Sequence, residues 1–233
     1  MSEIAARVEA LRKRVELAAR AAGRDPGSVR LLAVSKTFPA RCVLEAVEAG
    51  LRCFGENRVQ EADTKIPELR TATEVTLDWH LVGQLQRNKA RRAVELFDWI
   101  HSVDRPALAA ALERHAEALG RRPRVLLQVN IDEEGQKGGV RPGDVASLAE
   151  QVGALPHLEL VGLMTIPRAC EDPEEVRPSF ASLRELLEEI NRQRSADKQL
   201  SELSMGMSAD FEVAIQEGAT WIRIGTAIFG ERQ

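Results

Sequence analysis

The stretch that decides the fold is LSMGMSAD at residues 203–210, followed by TWIRIGTAIFG at residues 220–230. Two short apolar runs, Glu202–Ser204 and Trp221–Ile224, lie in or beside these segments, and each breaks at once into glycine and hydroxyl residues. Backbone amides in such loops can point at an anion. In a barrel of eight parallel strands, the loops after the last two strands are the usual phosphate site. The stretch therefore predicts the end of such a barrel, with a phosphate site at its mouth.

Upstream of this stretch, apolar strand-like runs alternate with longer helical segments, including Pro106–Leu119 and Pro178–Gln193. This alternation favours a parallel barrel. The eight candidate strands are Leu31–Ser35, Cys53–Gly55, Asp78–Gly83, Trp99–Val103, Arg124–Ile131, Leu158–Thr165, Glu202–Met205 and Trp221–Gly225.

The segment before the first strand, residues 2–22, has apolar residues at helical spacing and predicts an additional amphipathic helix. These residues are Ile4, Val8, Leu11, Val15 and Leu17 or Ala18. An open doubly wound sheet is the alternative architecture, but KTFP at residues 36–39 follows the first strand where a dinucleotide-binding sheet would carry GxGxxG. We therefore expect an α/β fold, a (β/α)8 TIM-type barrel with an extra N-terminal helix, as a single domain over residues 1–233.

The composition favours a soluble protein that handles a small molecule. Of 233 residues, 44% are hydrophobic and 29% charged, and the net charge of −4 gives no general attraction to nucleic acid or to an anionic membrane. Cys42, Cys53 and Cys170 show neither CxxC pairing nor metal-ligand spacing, so we expect no metal site and a reducing cytoplasmic location. Charges interrupt the apolar positions of the N-terminus, which argues against a signal peptide or a membrane span.

Lys36 is the sharpest chemical candidate, because it follows the apolar run 31–35 at the carboxyl end of the first predicted strand. A lysine that enters a barrel mouth is partly desolvated, which lowers its pKa and frees an amine to attack an aldehyde. The alternative is an ordinary strand-end lysine whose charged end reaches solvent. Together with the phosphate loops, this lysine suggests pyridoxal phosphate held as a Schiff base.

Four residues of the carboxyl-terminal loops are the candidates for phosphate binding: Met207, Ser208, Gly225 and Thr226. We expect Ser208 to cap a helix that begins near residue 209, and the loop amides to converge on the anion. The alternative is that these residues form plain caps and turns without a ligand. Asp210 and Glu212 would compete with a bound anion unless they face away.

Arg223 interrupts the apolar run 221–224 and shares a strand face with Trp221. It is interpreted either as one half of an ion pair with a neighbouring-strand carboxylate such as Glu56, or as a hydrogen-bond donor to a cofactor's ring nitrogen. Asn57 lies just after the second predicted strand, and His80 lies in the third. Both are expected to reach the mouth. Met164, at the end of the sixth strand, is placed either against a flat ring or in the core.

Several motifs resemble the pyridoxal phosphate homeostasis protein family over nearly the whole chain: VSK (34–36), GEN (55–57) with VQE (59–61), WHLVG (79–83) with LQ (85–86) and NK (88–89), VNI (129–131), GLM (162–164) and the block 204–230. This family is similar in fold to the N-terminal barrel of alanine racemase. The resemblance implies an internal aldimine at Lys36, a phosphate held by Ser204 with residues 207–208 and 225–226, and Arg223 facing the pyridine nitrogen. The sequence departs from the family at Arg58, where an aromatic residue is frequent.

Three functions remain open at this point. The first is a non-catalytic pyridoxal phosphate carrier or regulator in vitamin B6 homeostasis, a monomer that supplies cofactor-accepting apo-enzymes. The second is a pyridoxal phosphate enzyme such as an amino-acid racemase, and the third is a Schiff-base aldolase acting on a sugar phosphate. The sequence contains no tyrosine, whereas the related racemases use a tyrosine from a second domain as one acid/base. An arginine opposite the ring nitrogen also weakens the ring as an electron sink, so both observations favour the carrier.

Overall fold

The computed structural model describes residues 2–231, in which eight parallel strands close into a barrel in chain order. The strands are β1 Arg30–Val34, β2 Cys53–Glu56, β3 Asp78–Leu81, β4 Trp99–Val103, β5 Arg124–Val129, β6 Glu159–Thr165, β7 Glu202–Ser204 and β8 Trp221–Ile224. Strand β8 pairs with β1 and closes the ring. The predicted TIM-type barrel is confirmed.

Helices cover the outside of this barrel. In the described part of the chain they are α1 Glu3–Ala21, α2 Ala40–Glu48, α3 Val59–Ala72, α4 Ala90–Leu96, α5 Pro106–Leu119, α6 Val145–Gly153, α7 Arg177–Arg192, α8 Phe211–Gln216 and α9 Thr226–Phe229. Helix α1 is the predicted additional helix, and it packs against α2, α8 and α9. It turns Ala18 inward and leaves Leu17 exposed. No helix among residues 2–231 is long and apolar enough to cross a membrane.

Two strands end two residues earlier than the sequence predicts. Strand β3 stops at Leu81, and Gly83 then lies against the backbone of Asn57, where a Cβ atom would be 2.1 Å from the Asn57 carbonyl oxygen. Strand β5 stops at Val129 because the Asn130 amide turns away and donates to the carbonyl of Val140 at 2.9 Å.

The alternation of strand residues divides the core into two apolar clusters. Inward-facing side chains fill the barrel and form one cluster: Leu32, Val34, Val82, Trp99, Leu126, Met164 and Trp221. Outward-facing residues such as Ala33, Phe54 and Ile222 join the helices in the larger cluster. Because parallel strands end at the same edge, the residues that follow them meet at one mouth.

Candidate functional site

A pocket of about 470 Å³ opens at the carboxyl ends of the strands. Seven of the sequence-predicted site residues line it: Lys36, Asn57, Met207, Ser208, Arg223, Gly225 and Thr226. Among the residues that the structure describes, no aspartate or glutamate contributes to the lining. The pocket therefore combines two basic side chains with hydroxyl and amide groups, which suits an anionic ligand.

Lys36 stands on a rigid support at the end of β1. It is half-buried, and the preceding Ser35 is fully buried. Lys65, on α3, donates to the Ser35 carbonyl at 2.8 Å and to Glu56 Oε1 at 2.7 Å, while the Ser35 hydroxyl donates to the same carboxylate oxygen at 2.7 Å. This cluster ties the ends of β1 and β2 to α3, directly behind the residues that line the mouth.

The ion pair between Arg223 and Glu56 that the sequence left open is not formed. Gly55 faces the barrel interior, since a Cβ there would meet the side chains of Leu32 and Val34. Alternation then directs Glu56 outward, where Lys65 is its partner. Burial raises the pKa of the Glu56 carboxyl, and Lys65 opposes that shift.

Arg223 is instead held by oxygen atoms of the barrel. Its Nη1 donates to the Ser204 carbonyl at 2.6 Å and to the Ser204 hydroxyl at 2.8 Å, and its Nη2 donates to the Thr165 carbonyl at 2.7 Å. The residue is 5% exposed, and this burial lowers its pKa to about 10 while Asp210 acts in the opposite direction. Arg223 therefore stays cationic at neutral pH and presents its guanidinium at the floor of the pocket.

The loops after β7 and β8 meet, as the sequence predicts. The Ala227 amide donates to the hydroxyl of Ser208 at 3.4 Å, which joins the two loops across the pocket. Ser208 does not cap the following helix, because α8 begins at Phe211 and Asp210 occupies the N-cap position. The expected cap at Ser208 is thus wrong by two residues, since a turn over residues 208–210 precedes the helix.

Both acidic residues near these loops turn away from the pocket. Asp210 accepts a hydrogen bond from the Met207 amide at 2.6 Å, and Glu212 accepts one from Arg14 of α1 at 2.8 Å. Burial raises the pKa of Asp210, whereas the Met207 amide and the charge of Arg223 lower it. Consequently the Met207 amide is already bonded, and Met207 offers its half-exposed side chain to the pocket.

The other three predicted site residues, His80, Met164 and Ser204, lie beneath the pocket and are fully buried. His80 stacks on Trp99 and its Nδ1 is 2.9 Å from His101 Nε2, so the side chain does not reach the mouth. Val82, two residues later on the same face, takes that place. Met164 belongs to the apolar filling of the barrel. The expectation that His80 reaches the mouth is therefore wrong, and direct ligand contact by Met164 or Ser204 stays a prediction.

Sequence reasoning missed several lining residues, among them Gln84, Gln128, Gly138 and Ile166. Gln128 Nε2 donates to the Gly138 carbonyl at 2.9 Å and fixes the loop after β5 against the pocket. A Cβ at residue 138 would lie 2.7 Å from Gln84 Nε2, so a larger residue there would require the flexible Gln84 side chain to move. The signal for Gln128 is present, because a glutamine interrupts the apolar run 125–129 just as Arg223 interrupts 221–224.

Comparison with known proteins places this barrel in a family. The family model described as "Alanine racemase, N-terminal domain" matches residues 7–233. The pyridoxal phosphate homeostasis protein of Pseudomonas aeruginosa is 50% identical over 233 residues, which cover 100% of this chain and 97% of the relative. The protein of the same name from Escherichia coli K12 is 41% identical over 232 residues, with 100% and 98% covered.

A solved structure extends the likeness to three dimensions. PipY of Synechococcus elongatus PCC7942, solved with pyridoxal phosphate bound, is 45% identical and superposes with a TM-score of 0.85, covering 98% of this chain and 100% of that one. Sequence identity and fold agree over the full barrel. The chain belongs to the pyridoxal phosphate homeostasis protein family.

Proposed function

We propose that this protein binds pyridoxal 5'-phosphate at the barrel mouth and acts in vitamin B6 homeostasis. The observation that carries the proposal is the meeting of Lys36 with the loops of Ser208 and Thr226 in one pocket of about 470 Å³, which no acidic residue of the described chain lines. A relative 45% identical to this chain has been solved with this cofactor. A pocket of this size suits a small molecule.

The residues present fit the three reactive parts of that molecule. The hydroxyls of Ser208 and Thr226, with the backbone at Gly225, would hold the phosphate. The Met207 amide is not assigned to this role, because it is bonded to Asp210. Arg223 would donate to the ring nitrogen from the pocket floor, and Asn57 and Gln128 line the remaining polar wall.

Pyridoxal phosphate, when bound, supplies an aldehyde that condenses with a primary amine. Lys36 is the amine in this pocket, and its place at the end of β1 aims it into the mouth. The cluster of Lys65, Glu56 and Ser35 holds the backbone on which Lys36 stands. Lys65 itself is committed to that cluster and is 8% exposed, so it does not compete for the aldehyde.

We propose a carrier or regulator in preference to an enzyme. The sequence has no tyrosine to act as a second acid/base, and a cationic Arg223 beside the ring nitrogen opposes its protonation. The racemase-like enzyme is the second candidate, because the family model that matches this chain is that of the alanine racemase N-terminal domain. The carrier proposal includes a monomer in the cytoplasm, made of one barrel domain, that passes the cofactor to apo-enzymes.

The test is an absorption spectrum of the purified protein with pyridoxal phosphate, before and after borohydride reduction, followed by peptide mapping. We expect a reducible chromophore and a pyridoxyl group on Lys36, which Lys36→Ala abolishes and Lys89→Ala preserves. A label found only on Lys89 or Lys137 would overturn the assignment. Covalent trapping of a sugar phosphate without any chromophore would instead support the aldolase, and rapid turnover of an amino acid would support the racemase-like enzyme.

A further inference from the structure

Four polar side chains form a continuous row from the pocket floor into the centre of the barrel. Arg223 Nη1 donates to Ser204 Oγ at 2.8 Å, Ser204 Oγ lies 2.9 Å from His101 Nδ1, and His101 Nε2 lies 2.9 Å from His80 Nδ1. They come from β8, β7, β4 and β3, and none is more than 5% exposed. The row crosses an otherwise apolar interior, where an unpaired polar group is costly.

Both histidines in this row are neutral. Burial lowers the pKa of His101 to about 3, with a further contribution from the positive charge of Arg223. Burial also lowers the pKa of His80 well below its ordinary value, and His101 adds to the shift. Each imidazole therefore carries one proton and offers one donor and one acceptor nitrogen.

The direction of the row follows from Arg223, which can only donate. Ser204 accepts from Arg223, so the single hydroxyl proton of Ser204 is left for His101 Nδ1. His101 then carries its proton on Nε2 and donates to His80 Nδ1. His80 in turn carries its proton on Nε2, next to the rings of Trp99 and Trp221.

The opposite direction is less favourable. It would leave the Ser204 proton without an acceptor among the described contacts, and it would turn the lone pair of His80 Nε2 towards apolar surroundings. His80 Nε2 has no hydrogen-bond partner in the described residues, and His80 lies edge-to-face with Trp221 at 4.8 Å between ring centroids. An N–H group tolerates an aromatic neighbour better than a lone pair does.

We propose that His101, oriented by His80, is a positioning residue that fixes the Arg223 guanidinium through the hydroxyl of Ser204. Without His101, the Ser204 hydroxyl can rotate and its bond to Arg223 loosens, although the two backbone carbonyls still hold the guanidinium. The consequence for a ligand is weaker recognition of its ring nitrogen, and this part rests on the proposed function.

The first test needs no ligand. In the ¹⁵N-labelled protein, two-bond ¹H–¹⁵N correlations report histidine tautomers, and we expect Nε2–H for both His101 and His80.

The side-chain ¹⁵N signals of Arg223 should shift and broaden in His101→Leu, which removes the hydrogen bonds of residue 101 to Ser204 and to His80. They should stay close to those of the unaltered protein in His101→Asn, whose amide can still bind Ser204. An Nδ1–H tautomer at either histidine, or unchanged Arg223 signals in His101→Leu, would overturn the proposal. The tautomer measurement decides the matter even where His101→Leu does not fold.

The second test compares pyridoxal phosphate with its 1-deaza analogue, in which C–H replaces the ring nitrogen. We expect the preference for pyridoxal phosphate to fall about tenfold in His101→Leu, the loss typical of one weakened hydrogen bond to a charged group. It should persist in His101→Asn and in the control His115→Asn on α5. An unchanged preference in folded His101→Leu would refute the role in ligand recognition. Absence of binding by the unaltered protein would refute the proposed function, and the first test would still decide the role of His101.

Discussion

The ammonium of Lys65 and the carboxylate of Glu56 form a buried ion pair at 2.7 Å, and the same ammonium binds the carbonyl of Ser35 at 2.8 Å. The pair thus joins the residue before Lys36 to the residue before Asn57. Two strand ends that line the mouth are fixed from behind by one helix. A pair of opposite charges that lies outside the pocket therefore supports two of the strand ends that carry pocket residues.

We expect Lys65→Met to lower the free energy of unfolding at pH 7 by about 3 kcal/mol, because the Glu56 carboxylate is left buried without its cationic partner. Urea denaturation followed by circular dichroism measures this loss. The double variant Lys65→Met, Glu56→Met should recover most of it, since two apolar side chains replace the pair. A double variant as unstable as Lys65→Met alone would contradict this explanation.

The stability of the Lys65→Met variant should depend on pH. Burial raises the pKa of Glu56 above its ordinary 4.5, and Lys65→Met removes the group that opposes this shift. The folded variant then binds a proton that the unfolded chain releases, so its stability is highest at low pH and falls as the pH rises through that raised pKa. Urea titrations should find a larger deficit at pH 7 than at pH 5, and an equal deficit would show that Glu56 stays charged.

The sequence predicts the barrel well because strand and helix patterns are local. Arg223 was recognised in the same way, as a charged residue within an apolar run. What the sequence leaves open depends on three-dimensional contacts. The partner of Glu56 is on α3 and not on a strand, and the Met207 amide is taken by Asp210, three residues away in a turn. Gln128 is a further polar residue within an apolar run, and it lines the pocket although the sequence analysis does not select it.

We expect Ser208→Ala combined with Thr226→Ala to weaken binding of pyridoxal phosphate about 100-fold, because two hydrogen bonds to a charged group are lost. Binding of unphosphorylated pyridoxal should hardly change, since the proposed role of these hydroxyls is to bind the phosphate, which pyridoxal lacks. Spectroscopic titration with both ligands measures the two affinities. Equal losses would show that these loops do not bind the phosphate.

Asp210 places a carboxylate near the phosphate loops while it holds the Met207 amide. Asp210→Asn keeps an oxygen acceptor for that amide but removes the negative charge. We expect it to tighten binding of pyridoxal phosphate about fivefold and to leave pyridoxal unaffected, since two like charges separated by a water-like dielectric repel by about 1 kcal/mol. Weaker binding of both ligands would indicate that the charge of Asp210 is needed to order the loop.

The last prediction concerns Arg223 and the proposed absence of catalysis. At its proposed place beside the ring nitrogen, the cationic guanidinium would oppose protonation there, because protonation would place a second positive charge at hydrogen-bond distance. Arg223→Glu reverses the sign of this effect and favours a protonated, more strongly electron-withdrawing ring. We expect exchange of the amino-acid Cα proton for deuterium, followed by NMR, to rise at least about tenfold, the factor that one pKa unit supplies.

Arg223→Met, which removes the charge without adding a carboxylate, is the matched control, and its exchange rate should fall between those of the unaltered protein and Arg223→Glu. The carboxylate faces the carbonyls of Ser204 and Thr165, so circular dichroism must first show that the variant is folded. Rapid exchange by the unaltered protein would refute the carrier function, whereas a folded but inactive Arg223→Glu would show that the missing acid/base groups are the larger obstacle.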